Sequence, residues 1–217
     1  MSDVLEVDSV ILRFDNLVVL NDVYLKSETG KITGLLGRNG SGKTSLMKII
    51  YGTLLPQDCS VRINGNAIYE DFANPKFVRY LPQGEFIPKS LSLKRIFNDF
   101  DLNFDDFTGL FPEFEKYYHT ALKNLSGGEQ RIVEIYSIVV SKTKFSMLDE
   151  PFSQVMPVYA EKIKNLIVRE KQNKGIIVTD HLYRYLVDIC DVIYVINNAK
   201  TYRAENTSDL KKFGYIN

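Results

Sequence analysis

Cysteine is scarce, net charge is nil and no long apolar run occurs in this chain of 217 residues. Two cysteines, Cys59 and Cys190, are too few for a disulfide framework. They suit a reducing compartment and read as small buried hydrophobes. Lys plus Arg and Asp plus Glu both number 27, so no global field draws the chain onto nucleic acid or an anionic membrane. No nucleic-acid partner is expected, and any bound anion must be captured locally. No stretch approaches the ~18 uninterrupted apolar residues of a membrane helix; Ile135 to Val140 and Asp191 to Ile196 are short. The opening segment carries Asp3, Glu6 and Asp8 and no basic start, unlike a secretory leader. The chain shows no internal repeat and no low-complexity segment, which excludes a tandem duplication. With 45% hydrophobic and 25% charged residues, the balance is that of one globular domain.

Strands are expected at Val10–Phe14 and Leu17–Leu25, paired with each other, then at Ile32–Leu36 and Val61–Ile63. A glycine loop, Gly37 to Gly42, leads into a helix over Lys43–Tyr51. Downstream, Ser126 caps a helix running to about Ser141, and strands at Lys144–Leu148, Gly175–Thr179 and Asp191–Ile196 alternate with helices at Val158–Lys171 and Leu182–Val187. The alternation predicts an α/β core around a largely parallel sheet that ends at Ile196. Between these halves, Phe97, Phe100, Phe104, Phe107, Phe111 and Phe114 recur at intervals of three and four residues. Gly109 and Pro112 break that stretch into two or more short helices. The rings read as the core stripe of a small helical subdomain; the sharper alternative is a groove for a partner's helix.

Gly37-Arg38-Asn39-Gly40-Ser41-Gly42-Lys43-Thr44 matches G-x-x-x-x-G-K-[ST] between a strand and a helix. Its glycines let backbone N–H groups converge on phosphate oxygens at a helix N-terminus. Lys43 is placed for the β- and γ-phosphates, and the Thr44 hydroxyl is placed to ligate Mg²⁺. The pattern predicts a nucleoside triphosphate site. The strand Phe145–Leu148 ends in Asp149-Glu150. Asp149 falls beside the phosphate loop, where it can hold Mg²⁺ through a water, and Glu150 can polarise water against the γ-phosphate. A third element, Leu125-Ser126-Gly127-Gly128-Glu129-Gln130-Arg131, is a second glycine-rich helix start with Glu129 in capping-box position. Two phosphate-binding helix ends with one lysine-bearing loop suggest a composite site shared between two subunits.

With these three motifs in this order, nearly the whole chain resembles the ATP-binding cassette (ABC) ATPases. The resemblance implies a P-loop NTPase: an ABC-type nucleotide-binding domain with a RecA-like core, an N-terminal antiparallel β subdomain and a short inserted α-helical subdomain. Residues 1–217 then form one domain. Its β subdomain and core are 1–82 and 144–217, and 84–143 is the helical subdomain with the signature. By resemblance, Phe14 stacks on adenine, the bland alternative being a strand core position. Gln83, in Tyr80-Leu81-Pro82-Gln83, touches Mg²⁺ and the attacking water, and His181 contacts the γ-phosphate. Residues Gly37 to Ser45 of one subunit and Ser126, Gly127 and Gly128 of the other enclose each ATP. The implied ligands are ATP and Mg²⁺. The implied partners are a second cassette, identical or not, in a nucleotide-dependent dimer, and separate transmembrane permease subunits. The implied location is cytoplasmic, peripheral on the inner face of the cell membrane.

Two features depart from the family pattern. Met156 stands where a Ser-x-Leu-Asp loop places its aspartate, and the stretch from Gln83 to Leu125 is short. The chain also ends soon after the expected last strand, leaving no room for a regulatory domain. The motifs around Tyr80 to Gln83, Glu150-Pro151-Phe152 and Thr179-Asp180-His181 look most like bacterial lipopolysaccharide-export and branched-chain amino-acid cassettes. The leading expectation is the ATP-hydrolysing subunit of an ABC transporter. A soluble non-transport cassette or a weakly active regulatory cassette are alternatives. A small-molecule kinase, the reading outside the family, leaves Ser126-Gly127-Gly128 and Glu150 without a role.

Overall fold

A computed structural model describes residues 2–68, 76–153, 155–180, 183–213 and 215. His181 and Gln154 lie outside the described residues. Two sheets form the frame. The first is antiparallel, in the order β2 (Leu17–Glu28), β1 (Val4–Phe14), β4 (Asp58–Ile63) and β5 (Asn66–Ala67). In β1, Leu5, Val7, Val10 and Leu12 are buried while Glu6 and Asp8 lie nearer solvent, the alternation of a sheet with one covered face. This strand starts at Val4, earlier than the sequence reading, because Glu6 and Asp8 occupy the open face of a continuing strand.

The second sheet runs β10 (Lys200–Ala204), β9 (Val192–Asn197), β3 (Ile32–Gly37), β8 (Gly175–Thr179), β7 (Phe145–Asp149) and β6 (Val78–Leu81). Its strands are parallel except β10, which pairs antiparallel with β9. Every residue of β3, β7 and β8 is buried, as apolar strands covered on both faces must be. The sheet therefore continues past Ile196, where the sequence reading ended it. Asn198 and Ala199 both take positive φ (49° and 63°) and turn β9 back as β10. The Ala199 carbonyl accepts from Asn21 N at 2.7 Å, which ties this hairpin to the first sheet. A short helix, α7 (Thr207–Lys212), follows, with Asn206 capping it.

The helices are α1 (Lys43–Tyr51), α2 (Leu93–Asp99), α3 (Phe104–Leu110), α4 (Gly127–Val139), α5 (Pro157–Glu170) and α6 (Tyr183–Ile189). A 3-10 turn over Pro112–Tyr117 follows α3, where Pro112 breaks the helical spacing. The phenylalanine stripe is core: Phe97, Phe107, Phe111 and Phe114 are buried, and Phe100 and Phe104 are partly so. Phe107 sits at its centre, with ring centroids 5.1 Å from Phe97, 5.0 Å from Phe114 and 4.8 Å from Tyr136 of α4. Burial of such a ring contributes about 3–5 kcal/mol against truncation, enough to seat α3 on α4. Cys59 and Cys190 are not in a disulfide and are partly buried, and burial pushes both thiols up, as packing residues rather than nucleophiles require. Among the described residues no helix is long and apolar enough to cross a membrane.

Candidate functional site

Strand β3 delivers the chain into the loop 38–42, and α1 begins at Lys43. Gly42 is the N-cap residue, in left-handed backbone (φ 102°) with no side-chain cap. A side chain there would meet Leu20 Cδ2 at 2.8 Å, so the position demands glycine on two counts. The helix start is thereby left open, with its unpaired N–H groups facing a cleft. Phe14, Val19, Asn39, Gly40, Gly42, Lys43, Thr44, Ser45, Gln83 and Glu150 line this cleft of about 490 Å³. Phe14 is half exposed at the end of β1, so its ring is a cleft wall and not a core side chain. A smaller hollow of about 170 Å³ lies against the other side of the loop, where Arg38, Gly40 and Ser41 meet Leu17, Val18 and Phe213.

Lys43 is buried, and its Nζ donates to the carbonyls of Gly37 at 2.8 Å and Arg38 at 3.2 Å. Burial pulls its pKa below the ordinary 10.5, against the pull of Glu150, Asp149 and Asp180. The ammonium is therefore desolvated and aimed across the loop, a state that an anion would relieve.

Asp149 ends β7 beside Thr179, which ends β8, and is fully buried. Burial raises its pKa, while hydrogen bonds from the Thr44 and Tyr80 hydroxyls and the charge of Lys43 pull the other way. Tyr80, on the neighbouring strand β6, donates to Asp149 Oδ2 at 3.1 Å, and Asp149 Oδ1 has no hydrogen-bond partner. A buried carboxylate oxygen left bare is costly unless a ligand completes it. Glu150, next in the chain, takes left-handed backbone with φ 51°. Its N–H donates to Thr179 O at 2.8 Å, and its Oε2 accepts from Ser153 Oγ at 3.3 Å. Asp180 is also fully buried, with Oδ2 accepting from Phe152 N at 3.0 Å, which folds the chain after Glu150 back onto β8.

The other glycine-rich helix start does not line this cleft. Ser126 is the N-cap of α4, in a complete capping box: its Oγ accepts from Glu129 N at 3.3 Å, and its own N–H donates to Glu129 Oε2 at 2.7 Å. Ser126 and Gly127 are exposed and Gly128 partly so. One turn further, Arg131 and Glu134 are buried and paired at 3.3 Å. Met156 caps α5 without any side-chain bond and is 54% exposed.

The structure thus gathers Phe14, Asn39, Gly40, Gly42, Lys43, Thr44, Ser45, Gln83 and Glu150 on one cleft, with Asp149 beneath Thr44 and Lys43. It leaves Ser126, Gly127 and Gly128 apart. Sequence reasoning missed Tyr80, Arg131, Glu134 and Asp180. Tyr80 and Arg131 stand inside motifs that drew attention for their neighbours; nothing in their spacing announces their partners.

A parallel sheet whose strand ends carry a glycine loop, a buried lysine and an acidic pair defines a phosphate-loop nucleotide-binding protein. The family model described as ABC transporter matches residues 20–153. The chain belongs to the ABC transporter family, as one of its ATP-binding proteins. The lipopolysaccharide export system ATP-binding protein LptB of Escherichia coli (strain K12) is 32% identical over 200 residues, covering 82% of this chain and 80% of that one. The protein of the same description from Acidithiobacillus ferridurans is 29% identical over 232 residues, covering 97% and 93%. Among solved structures, an ATP-binding subunit of an ABC transporter superposes with a TM-score of 0.82 at 22% identity, covering 98% and 94%. A nucleotide-free ATP-binding cassette from an ABC transporter gives 0.78 at 20% identity, covering 97% and 94%. These two show the fold.

Proposed function

We propose that the chain is the motor subunit of a transporter whose transmembrane subunits are separate chains, and that it works as a nucleotide-closed dimer at the inner face of the cell membrane. One observation carries the reading. Lys43, Gln83 and Glu150 share a cleft, whereas the exposed helix start at Ser126 does not line it. A second cassette presenting Ser126, Gly127 and Gly128 would supply what the cleft lacks on its open side. The LptB proteins it resembles are ATP-binding proteins of an export system, which supports a transport role.

In this reading Phe14 stacks on the adenine, and Gly37 to Ser45 hold the phosphates with backbone N–H groups and the Lys43 ammonium. Glu150 accepts hydrogen bonds from water and orients it toward the γ-phosphate, with Gln83 across the same cleft. His181 is proposed as a γ-phosphate contact. Mg²⁺ fits the residues present: the bare Oδ1 of buried Asp149 beside Thr44, with Gln83 on the cleft wall, is a hard oxygen donor set. When bound, it would neutralise charge on the phosphates. The domain is proposed to divide at 84–143, since β6 ends at Leu81 and β7 begins at Phe145 with no strand of either sheet between. The test is affinity capture of the tagged chain from native membranes. Recovery of an integral membrane protein in stoichiometric amount is expected, and its absence would replace the transporter reading with that of a soluble cassette.

Met156 favours one refinement. It leaves the N-cap of α5 without a carboxylate or hydroxyl, so coupling between the two composite sites is proposed to be weaker than in cassettes with an aspartate there.

A further inference from the structure

Between the exposed helix start at Ser126 and the cleft lies a buried ion pair, Arg131 with Glu134, to which the motif reading gave no role. The Arg131 guanidinium spreads over three backbone carbonyls: Nη1 donates to Pro82 O at 2.9 Å, and Nη2 to Asp149 O at 3.1 Å and Glu150 O at 3.4 Å. Nη1 also meets Glu134 Oε2 at 3.3 Å. The other Glu134 oxygen, Oε1, accepts from Phe86 N at 3.1 Å and Ile87 N at 3.4 Å. Both side chains are nearly sealed from solvent, at 5% and 3% exposure.

Several details make this more than a packing device. Pro82 immediately precedes Gln83, and Phe86 and Ile87 follow it, so the pair grips the Gln83 segment on both sides. Gln83 itself is exposed. Glu150 sits in left-handed backbone, a conformation that costs a non-glycine residue about 1–2 kcal/mol and persists only where neighbours enforce it. Its N–H is fixed by Thr179 O and its C=O by Arg131, which together hold the residue in that conformation. Both members of the pair project from α4, the helix that Ser126 caps and Gly127 begins. A guanidinium is the side chain suited to this task, because its planar fork can satisfy several acceptors at fixed angles where an ammonium cannot.

We infer that Arg131 and Glu134 are positioning residues that set Gln83 and Glu150 in register with each other and with the signature helix. The inference rests on the reading of Glu150 as the residue that orients water. It locates the physical link by which a displacement of α4, such as engagement of its N-terminus by nucleotide, reaches both groups. The linkage runs past the phosphate loop, since the hydrogen bonds of the pair go to residues 82–87 and 149–150.

The test uses the full chain with Arg131→Lys and Glu134→Gln, scored for ATP affinity with a non-hydrolysable analogue, steady-state hydrolysis and amide hydrogen exchange. For Arg131→Lys the expected result is a kcat lowered about tenfold or more, as small misplacements of reacting groups produce, with ATP affinity within about twofold of the parent. Exchange at the amides of residues 83–87, Glu150 and Phe152 accelerates while that of α1 stays unchanged. Glu134→Gln keeps an acceptor for Phe86 N and Ile87 N but loses the charge, so its exchange pattern at 86–87 stays near the parent's and its kcat falls less. Unchanged kcat in Arg131→Lys, or kcat and affinity lost together in step with melting temperature, would overturn the inference. If Arg131→Lys does not fold, Glu134→Gln alone decides: parental kcat with parental exchange at the amides of Gln83, Glu150 and Phe152 overturns it. Glu150→Gln serves as the control. Full hydrolysis in that variant would sink the underlying reading of Glu150 instead.

Discussion

Replacing Lys43 by methionine separates binding from folding, because the same ammonium does opposite things in the two. In the free chain Lys43 Nζ satisfies two carbonyls, Gly37 O at 2.8 Å and Arg38 O at 3.2 Å, but from a site only 6% exposed. Burial already pulls its pKa below 10.5, so the fold disfavours the charged form. Such a penalty is fully present below the lowered pKa and is relieved as pH rises toward 10.5. Methionine has similar length and no charge to bury. It forfeits two charge-assisted bonds and removes the desolvation cost, so the net stability change is expected within about 1 kcal/mol of zero. Phosphate binding has no such compensation. Loss of a charge-assisted bond to the phosphates costs about 1.5–3 kcal/mol, or roughly 10- to 150-fold in affinity. Calorimetric titration with a non-hydrolysable ATP analogue and a thermal melt on the same sample measure both quantities. Affinity within about threefold of the parent would refute the assignment of Lys43 to the phosphates. A large joint loss of stability and affinity would refute the claim that its cost and gain in the free chain balance.

Two further outcomes follow from the described geometry. Lys174, nearly sealed by its surroundings and bonded to Ser141 O, has its pKa pulled by burial down to about 8. The folded chain therefore binds this proton less tightly than the unfolded one. The cost is constant below about pH 8 and is relieved up to 10.5, so the parent gains about 3 kcal/mol relative to Lys174→Met over that interval. Parallel stability curves for the two proteins between pH 8 and 10.5 would contradict this. Met156→Asp supplies the missing cap of α5 and should raise stability by about 1 kcal/mol in chemical denaturation, with altered cooperativity of ATP hydrolysis; unchanged values of both would make the departure inconsequential.

Local signals in the sequence were sufficient for the phosphate loop, because a glycine-rich turn and a helical pattern are properties of adjacent residues. The helix at Lys43–Tyr51 and the strand at Gly175–Thr179 fall where they were read. The phenylalanine stripe resolved in favour of core, since the rings pack on one another and on Tyr136. The hairpin β9–β10 escaped the reading for a physical reason. Its turn uses Asn198 and Ala199 in left-handed backbone without a glycine, and β10 is largely exposed, so neither turn chemistry nor an apolar run marks it. Tyr80, Arg131 and Glu134 were hidden differently. Each acts on backbone or carboxylate far away in the chain, as Arg131 does on Pro82 and Asp149, and no spacing rule reports a contact made only by folding. What the sequence pattern did mark were residues that line the cleft; how they are braced required the structure.

The most direct test of the account is the molecular mass of Glu150→Gln in ATP and Mg²⁺, by gel filtration with light scattering. Glu150 lines the cleft with Lys43 and Gln83, while the helix start at Ser126, proposed to enclose the nucleotide of a second copy, is exposed elsewhere on the chain. Binding without hydrolysis should hold two copies together, giving a dimer in ATP and a monomer after the nucleotide is removed. A variant that binds ATP with parental affinity yet remains monomeric would contradict the composite site.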